Sequence, residues 1–126
     1  MDHPTPIRRE VTVDARPELV WDALTDPVEL AAWFGAHAEL DLRVGGAIRF
    51  RWPDGTERRG LVLDVDPPRR LAFRWRELRT SASGVTVAGA TAVTFTLESD
   101  GRTTRVTVTE TPGILADPPL AMAENA

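Results

Sequence analysis

The chain has 126 residues, 42% of them hydrophobic and 27% charged, with a formal net charge of −4; that is enough for one domain with a single core, and it lies outside the ranges of disordered, collagenous or membrane-spanning sequence. All fifteen basic residues are Arg, and Lys, Cys and Tyr are absent. Thiolate chemistry, disulfides, sulfur-ligated metals, Schiff-base lysines and P-loop lysines are therefore excluded, and the acidic balance argues against nucleic acid as a partner.

Residues 1–6, broken by Pro4 and Pro6, read as a flexible tail, and residues 7–126 as one domain. The first nine residues hold no apolar stretch suited to a signal peptide, and no later run approaches the roughly 20 apolar residues of a bilayer span, so a cytoplasmic protein is expected. Residues 7–13 alternate as a strand with Val11 and Val13 on one face. Pro17 then suits a first helical position, and Val20, Trp21 and Leu24 recur at helical spacing. Asp26-Pro27-Val28-Glu29 combines a side-chain cap, Pro in the first turn and an acid three residues on, predicting a second short helix with Leu30, Trp33 and Phe34 as its apolar face and Gly35 as its stop.

From residue 36 the period changes to two. Ala38, Leu40 and Leu42 alternate with His37, Glu39 and Asp41. After Gly45-Gly46, the residues Ile48, Phe50 and Trp52 alternate with Arg49 and Arg51. Pro53-Asp54-Gly55 predicts a turn, because Pro presets its own φ and Gly tolerates a left-handed one. The next strand is read with Leu61, Leu63 and Val65 inward and Val62, Asp64 and Asp66 outward. Pro67-Pro68 interrupts the ladder before Leu71, Phe73 and Trp75, which oppose Arg74 and Arg76. Residues 85–97 and 102–110 form two long Thr-rich strands joined at Ser99-Asp100-Gly101, and residues 80–84 read as a mobile loop able to act as a lid.

Four stretches carry a resemblance when taken in order. They are residues 20–27 (VWDALTDP), 30–35 (LAAWFG), 41–46 (DLRVGG) and 60–71 (GLVLDVDPPRRL), with the closing TTRVTVTE of residues 103–110. Together they resemble the START-like, or SRPBCC, superfamily and, within it, the branch named for the activator of the heat-shock protein 90 ATPase. The resemblance implies an α+β helix-grip (START/Bet v-like) fold: a curved antiparallel sheet of about six to seven strands, two short N-terminal helices and a C-terminal helix gripped by the sheet. That last helix is expected to be short or missing here, since residues 112–126 stop after a brief apolar patch. An omitted continuation or a partner chain would then cover the sheet, and a homodimer is one such arrangement.

The resemblance also implies a cavity for lipids, polyketides or other apolar molecules. Trp33, Phe34, Phe50, Trp52, Leu63, Phe73, Trp75, Val93 and Phe95 are the candidate lining residues, although aromatic stripes of this kind also build solid cores. Glu77, in register with Trp75, and Glu110, at the end of the last strand, are the candidate acids or bases if rings raise their pKa. Arg9 shares the parity of Val11 and can reach one of them or snorkel. His37, Glu39 and Asp41 share a strand face, but one strand cannot wrap a cation, so no metal site and no cofactor are expected. No Ser lies in a Gly-x-Ser-x-Gly elbow. Three functions remain: binding of an apolar small molecule without chemistry, a cyclase or dehydratase using the same cavity, and a chaperone-associated interaction domain.

Overall fold

A computed structural model describes residues 6–112 as seven antiparallel strands and two helices. The strands are β1 (Ile7–Val13), β2 (His37–Leu40), β3 (Ala47–Arg51), β4 (Glu57–Asp66), β5 (Arg70–Ser81), β6 (Gly84–Ser99) and β7 (Thr104–Pro112); the helices are α1 (Pro17–Thr25) and α2 (Pro27–Phe34). The tail expected over residues 1–6, apart from Pro6, and the grip helix expected near the C-terminus lie outside the described residues. Among the described residues no helix is long and apolar enough to cross a membrane.

One sheet holds all seven strands in the order β1-β7-β6-β5-β4-β3-β2. Strands β1 and β2, consecutive in sequence, therefore occupy opposite edges, and the chain between them has to cross the sheet. It crosses as α1 and α2. Their apolar residues Val20, Trp21, Leu24 and Leu30 share one core with Ile48, Phe50, Val62, Phe73 and Trp75, so the helices roof the concave face. Local sequence sets their ends. Asp26 accepts a hydrogen bond from the Val28 amide at 2.9 Å, Pro27 occupies the first turn, and Gly35 ends α2 at φ 66°, in the left-handed region. Thr104, fully buried, donates its hydroxyl to the Ala15 carbonyl at 2.7 Å and ties the start of β7 to the entry of α1.

Two expectations are corrected. In β4 the inward residue is Val62, 1% exposed, while Leu61 and Leu63 are 37% and 43% exposed. A bulge between Val62 and Asp64 puts an extra residue into β4 and reverses the alternation that Leu61, Leu63 and Val65 suggest, and only Val65 still packs on the core. Residues 80–84 are not a loop either. Ser81 pairs directly with Gly84, so Ala82 and Ser83 form a tight hairpin turn that continues the β5–β6 ladder.

Candidate functional site

The concave face is a sequence of touching rings. Phe34 meets Phe50 edge-on at 4.9 Å between centroids, Phe50 meets Trp75 at 5.2 Å, Trp75 meets Phe73 at 5.0 Å, and Phe73 lies 6.1 Å from Phe95. Edge-to-face pairs at these distances are packed contacts. Phe50, Phe73, Trp75 and Val93 are buried and make the floor of the face. Phe95 and Trp52 are half-buried and pack against that floor, and Phe34 is at its margin. Trp52 donates its indole N–H to the Phe34 carbonyl at 2.9 Å, joining the end of α2 to β3. Leu63 is on the bulged, exposed stretch of β4, away from these rings, and the side chain of Trp33 lies outside the described residues.

Beyond the rings the face becomes polar. The register places Phe50, Arg58, Glu77 and Gly89 side by side on four neighbouring strands. The Arg58 guanidinium lies 5.3 Å from the Trp52 ring and 4.9 Å from the Trp75 ring, within cation–π range of both. Arg58 donates through Nε and Nη2 to Oε1 of Glu77, the closer contact at 3.1 Å, and Arg79 donates through Nε and Nη2 to Oε2 at 3.1 and 2.9 Å. One carboxylate is thus held by two cations. Arg58, Trp75, Glu77, Arg79, Gly89 and Thr91 enclose a cavity of about 250 Å³. A Cβ on Gly89 would meet nothing within 4 Å, so the missing side chain opposite Glu77 leaves that space open.

Expected rings around Glu77 are replaced by guanidiniums, and the effect on its acidity is the opposite of the one anticipated. The Arg79 hydrogen bond, with Arg58 adding to it, holds the carboxyl below the usual carboxylate range despite the opposing effect of burial. A depressed acid adds stability that is complete above its unfolded pKa and disappears as pH falls through the folded value. Glu77→Gln is therefore expected to cost on the order of 1 kcal/mol at pH 7, with the gap to the parent protein closing below about pH 4 in urea denaturation. A gap that persists at acid pH would show that the pairing does not contribute.

Glu110 lies on the same concave face, two strands away, opposite Val93 on one side and Ile7 on the other. Arg9 pairs with Val108 in the adjacent row and is exposed. The structure does not bring Glu77 and Glu110 onto neighbouring strands. Arg58 was not among the residues singled out by sequence, because the bulge hides its parity; counting back from Val62 through Gly60 would have placed it inward.

The convex face carries charge pairs of its own. Glu57 neutralises Arg49 and Arg59, at 2.5 and 2.6 Å, and the Arg59 hydrogen bond contributes most to lowering its pKa. Asp64 pairs with Arg70 at 3.1 Å and Asp66 with Arg69 at 3.2 Å. His37 contacts Glu39 at 3.3 Å, whereas Asp41 turns away to Arg43 at 2.8 Å. An open groove of about 660 Å³ runs between the end of α2, His37 and the β3–β4 turn. The rings of the concave face do not extend into it, apart from Trp52, which forms one wall.

Comparison with known proteins places this geometry. A family model described as "Activator of Hsp90 ATPase homolog 1-like protein" matches residues 14–125. Among solved structures, DynU16, of the dynemicin biosynthetic locus, is 28% identical with a TM-score of 0.70; the match covers 95% of this chain but only 42% of that one. Mll3558 from Rhizobium loti is 26% identical with a TM-score of 0.67, covering 96% of this chain and 88% of its own. PFC0360w, an HSP90 activator from Plasmodium falciparum, is 20% identical with a TM-score of 0.67 over 95% of this chain and 85% of its own, a likeness of fold alone. No curated protein sequence matches the chain.

Proposed function

The chain belongs to the activator of Hsp90 ATPase homolog 1-like family, in the START-like superfamily, and from that premise we propose that it binds an apolar small molecule on its concave face without chemistry of its own. The observation that carries this reading is the transition on that face from packed rings to open space. Trp75 belongs to the core yet is also the aromatic wall of the otherwise polar 250 Å³ cavity, so the apolar part of a ligand entering there would lie against that ring without disturbing the fold. The likeness to DynU16, a protein of a biosynthetic locus, supports a small molecule as the partner.

The cyclase or dehydratase alternative receives less support. A carboxyl held below its ordinary range by two guanidiniums is a weak base and is not protonated to act as an acid at neutral pH, so Glu77 is poorly suited to proton transfer. Titration with apolar aromatic and aliphatic alcohols, followed by thermal melting and Trp emission, tests the binding reading. Ligand at about a hundred times its Kd should stabilise the fold by roughly 2.7 kcal/mol and raise the melting temperature by several degrees. If no compound in the series moves either signal, the reading fails.

A further inference from the structure

Resting on that reading, we propose that the ligand is an amphipathic acid, whose carboxylate is taken by Arg58 and Arg79 while its apolar body lies against Trp75. Among the residues that line the cavity two guanidiniums face one carboxylate, and the other acid coupled to them, Asp54, acts on Arg79 from outside the lining without a hydrogen bond to it. Both arginines direct Nε and Nη2 to Glu77, so neither Nη1 has an acceptor among the described residues. Glu77 works as an anchor. By gripping both side chains it fixes the guanidinium planes before any ligand arrives, which lowers the ordering cost of recognition.

Position adds to charge. Arg58 is stacked between Trp52 and Trp75 and is only 33% exposed, so its remaining donors act beside an apolar wall, where an ionic hydrogen bond is stronger than in bulk water. The planar guanidinium is weakly hydrated and matches a carboxylate in shape, which favours it over an ammonium for this task. Gly89 supplies the room and Thr91 a hydroxyl on the same wall. A cationic ligand would be repelled by the two guanidiniums, and a neutral one could accept from the Nη1 donors only without the added strength of an ionic hydrogen bond.

Calorimetric titration with 2-naphthylacetate, 2-(2-naphthyl)ethanol and 2-(2-naphthyl)ethylammonium at low salt tests the inference, because the three probes share one apolar body. The acid is expected to bind at least about tenfold more tightly than the alcohol, with the ammonium weakest. Arg79→Gln, which leaves Arg58 in place, should reduce the preference for the acid to within about twofold, read as the ratio of acid to alcohol affinity in the same variant. Gly89→Val should weaken acid and alcohol together by filling the cavity. Equal binding of acid and alcohol by the parent protein, or a preference that survives both Arg79→Gln and Arg58→Gln, overturns the carboxylate assignment and leaves apolar binding intact. Absence of binding by all three probes overturns both.

Discussion

Gly60→Ala should lower stability by about 3 kcal/mol or more and reduce the melting temperature by more than about 10 °C. Gly60 lies in β4 between Ile48 of β3 and Trp75 of β5. A Cβ placed there would sit 1.7 Å from the Arg74 carbonyl oxygen and 2.6 Å from the Trp75 Cα. Both obstacles are backbone, so no side-chain rotation relieves them; β4 and β5 would have to part. Separation there would disturb the ladder beside the Val62–Asp64 bulge and displace Arg58 and Trp75 together. Gly89→Ala is the control, since its Cβ meets nothing within 4 Å and surface changes of this size usually stay within about 0.5 kcal/mol. Chemical denaturation of both variants separates the cases. A Gly60→Ala protein within about 1 kcal/mol of the parent would refute the close approach of the two strands.

Phe50→Ala should cost a further-reaching loss, about 3–5 kcal/mol, because a buried ring is replaced by a cavity that its surroundings only partly fill. Phe50 is 1% exposed and touches Phe34 from α2, Trp52 from its own side of the sheet and Trp75 from β5. It therefore couples the helical roof to the floor of the cavity. Phe95→Ala, at a half-buried ring, should cost about half as much, because less apolar surface returns to water. Similar losses for the two variants in urea denaturation would contradict the placement of the roof over Phe50. The Phe50 variant should also loosen the Trp75 ring against which Arg58 stacks, linking core integrity to the site.

The two helices were legible because their boundaries are chemical. Pro17, the Asp26 side-chain cap and Gly35 act within a few residues of themselves, and each takes its anticipated position. The turns at Pro53-Asp54-Gly55 and Ser99-Asp100-Gly101 were legible for the same reason. Alternation identified the strands, and in β3, β5 and most of β6 it also identified the inner face, with Phe50, Phe73, Trp75, Val93 and Phe95 all turned inward.

Alternation failed where one strand gained a residue over its neighbour. Between Val62 and Asp64 the apolar pattern of Leu61, Leu63 and Val65 is continuous in sequence, yet the pairing with β5 slips by one residue and the inward set changes. The same slip hid Arg58. A second irregularity, between Glu77 and Leu78 in their pairing with β6, lies where β5 passes from the core to the hairpin beyond the cavity. Glu77 itself was located on the correct face, but its partners could not be read, because Arg58 is nineteen residues away and meets it only through the β4–β5 register.

Composition, caps, turns and the two-residue period by themselves determined an α+β chain whose rings gather on one side of an antiparallel sheet, since each of those signals acts over a few neighbouring residues. Which charged groups join the rings was decided only by tertiary structure. Register across strands depends on a bulge whose position is set by the pairing partner, and one residue of slip is enough to exchange a solvent-facing arginine for one that stacks on tryptophan.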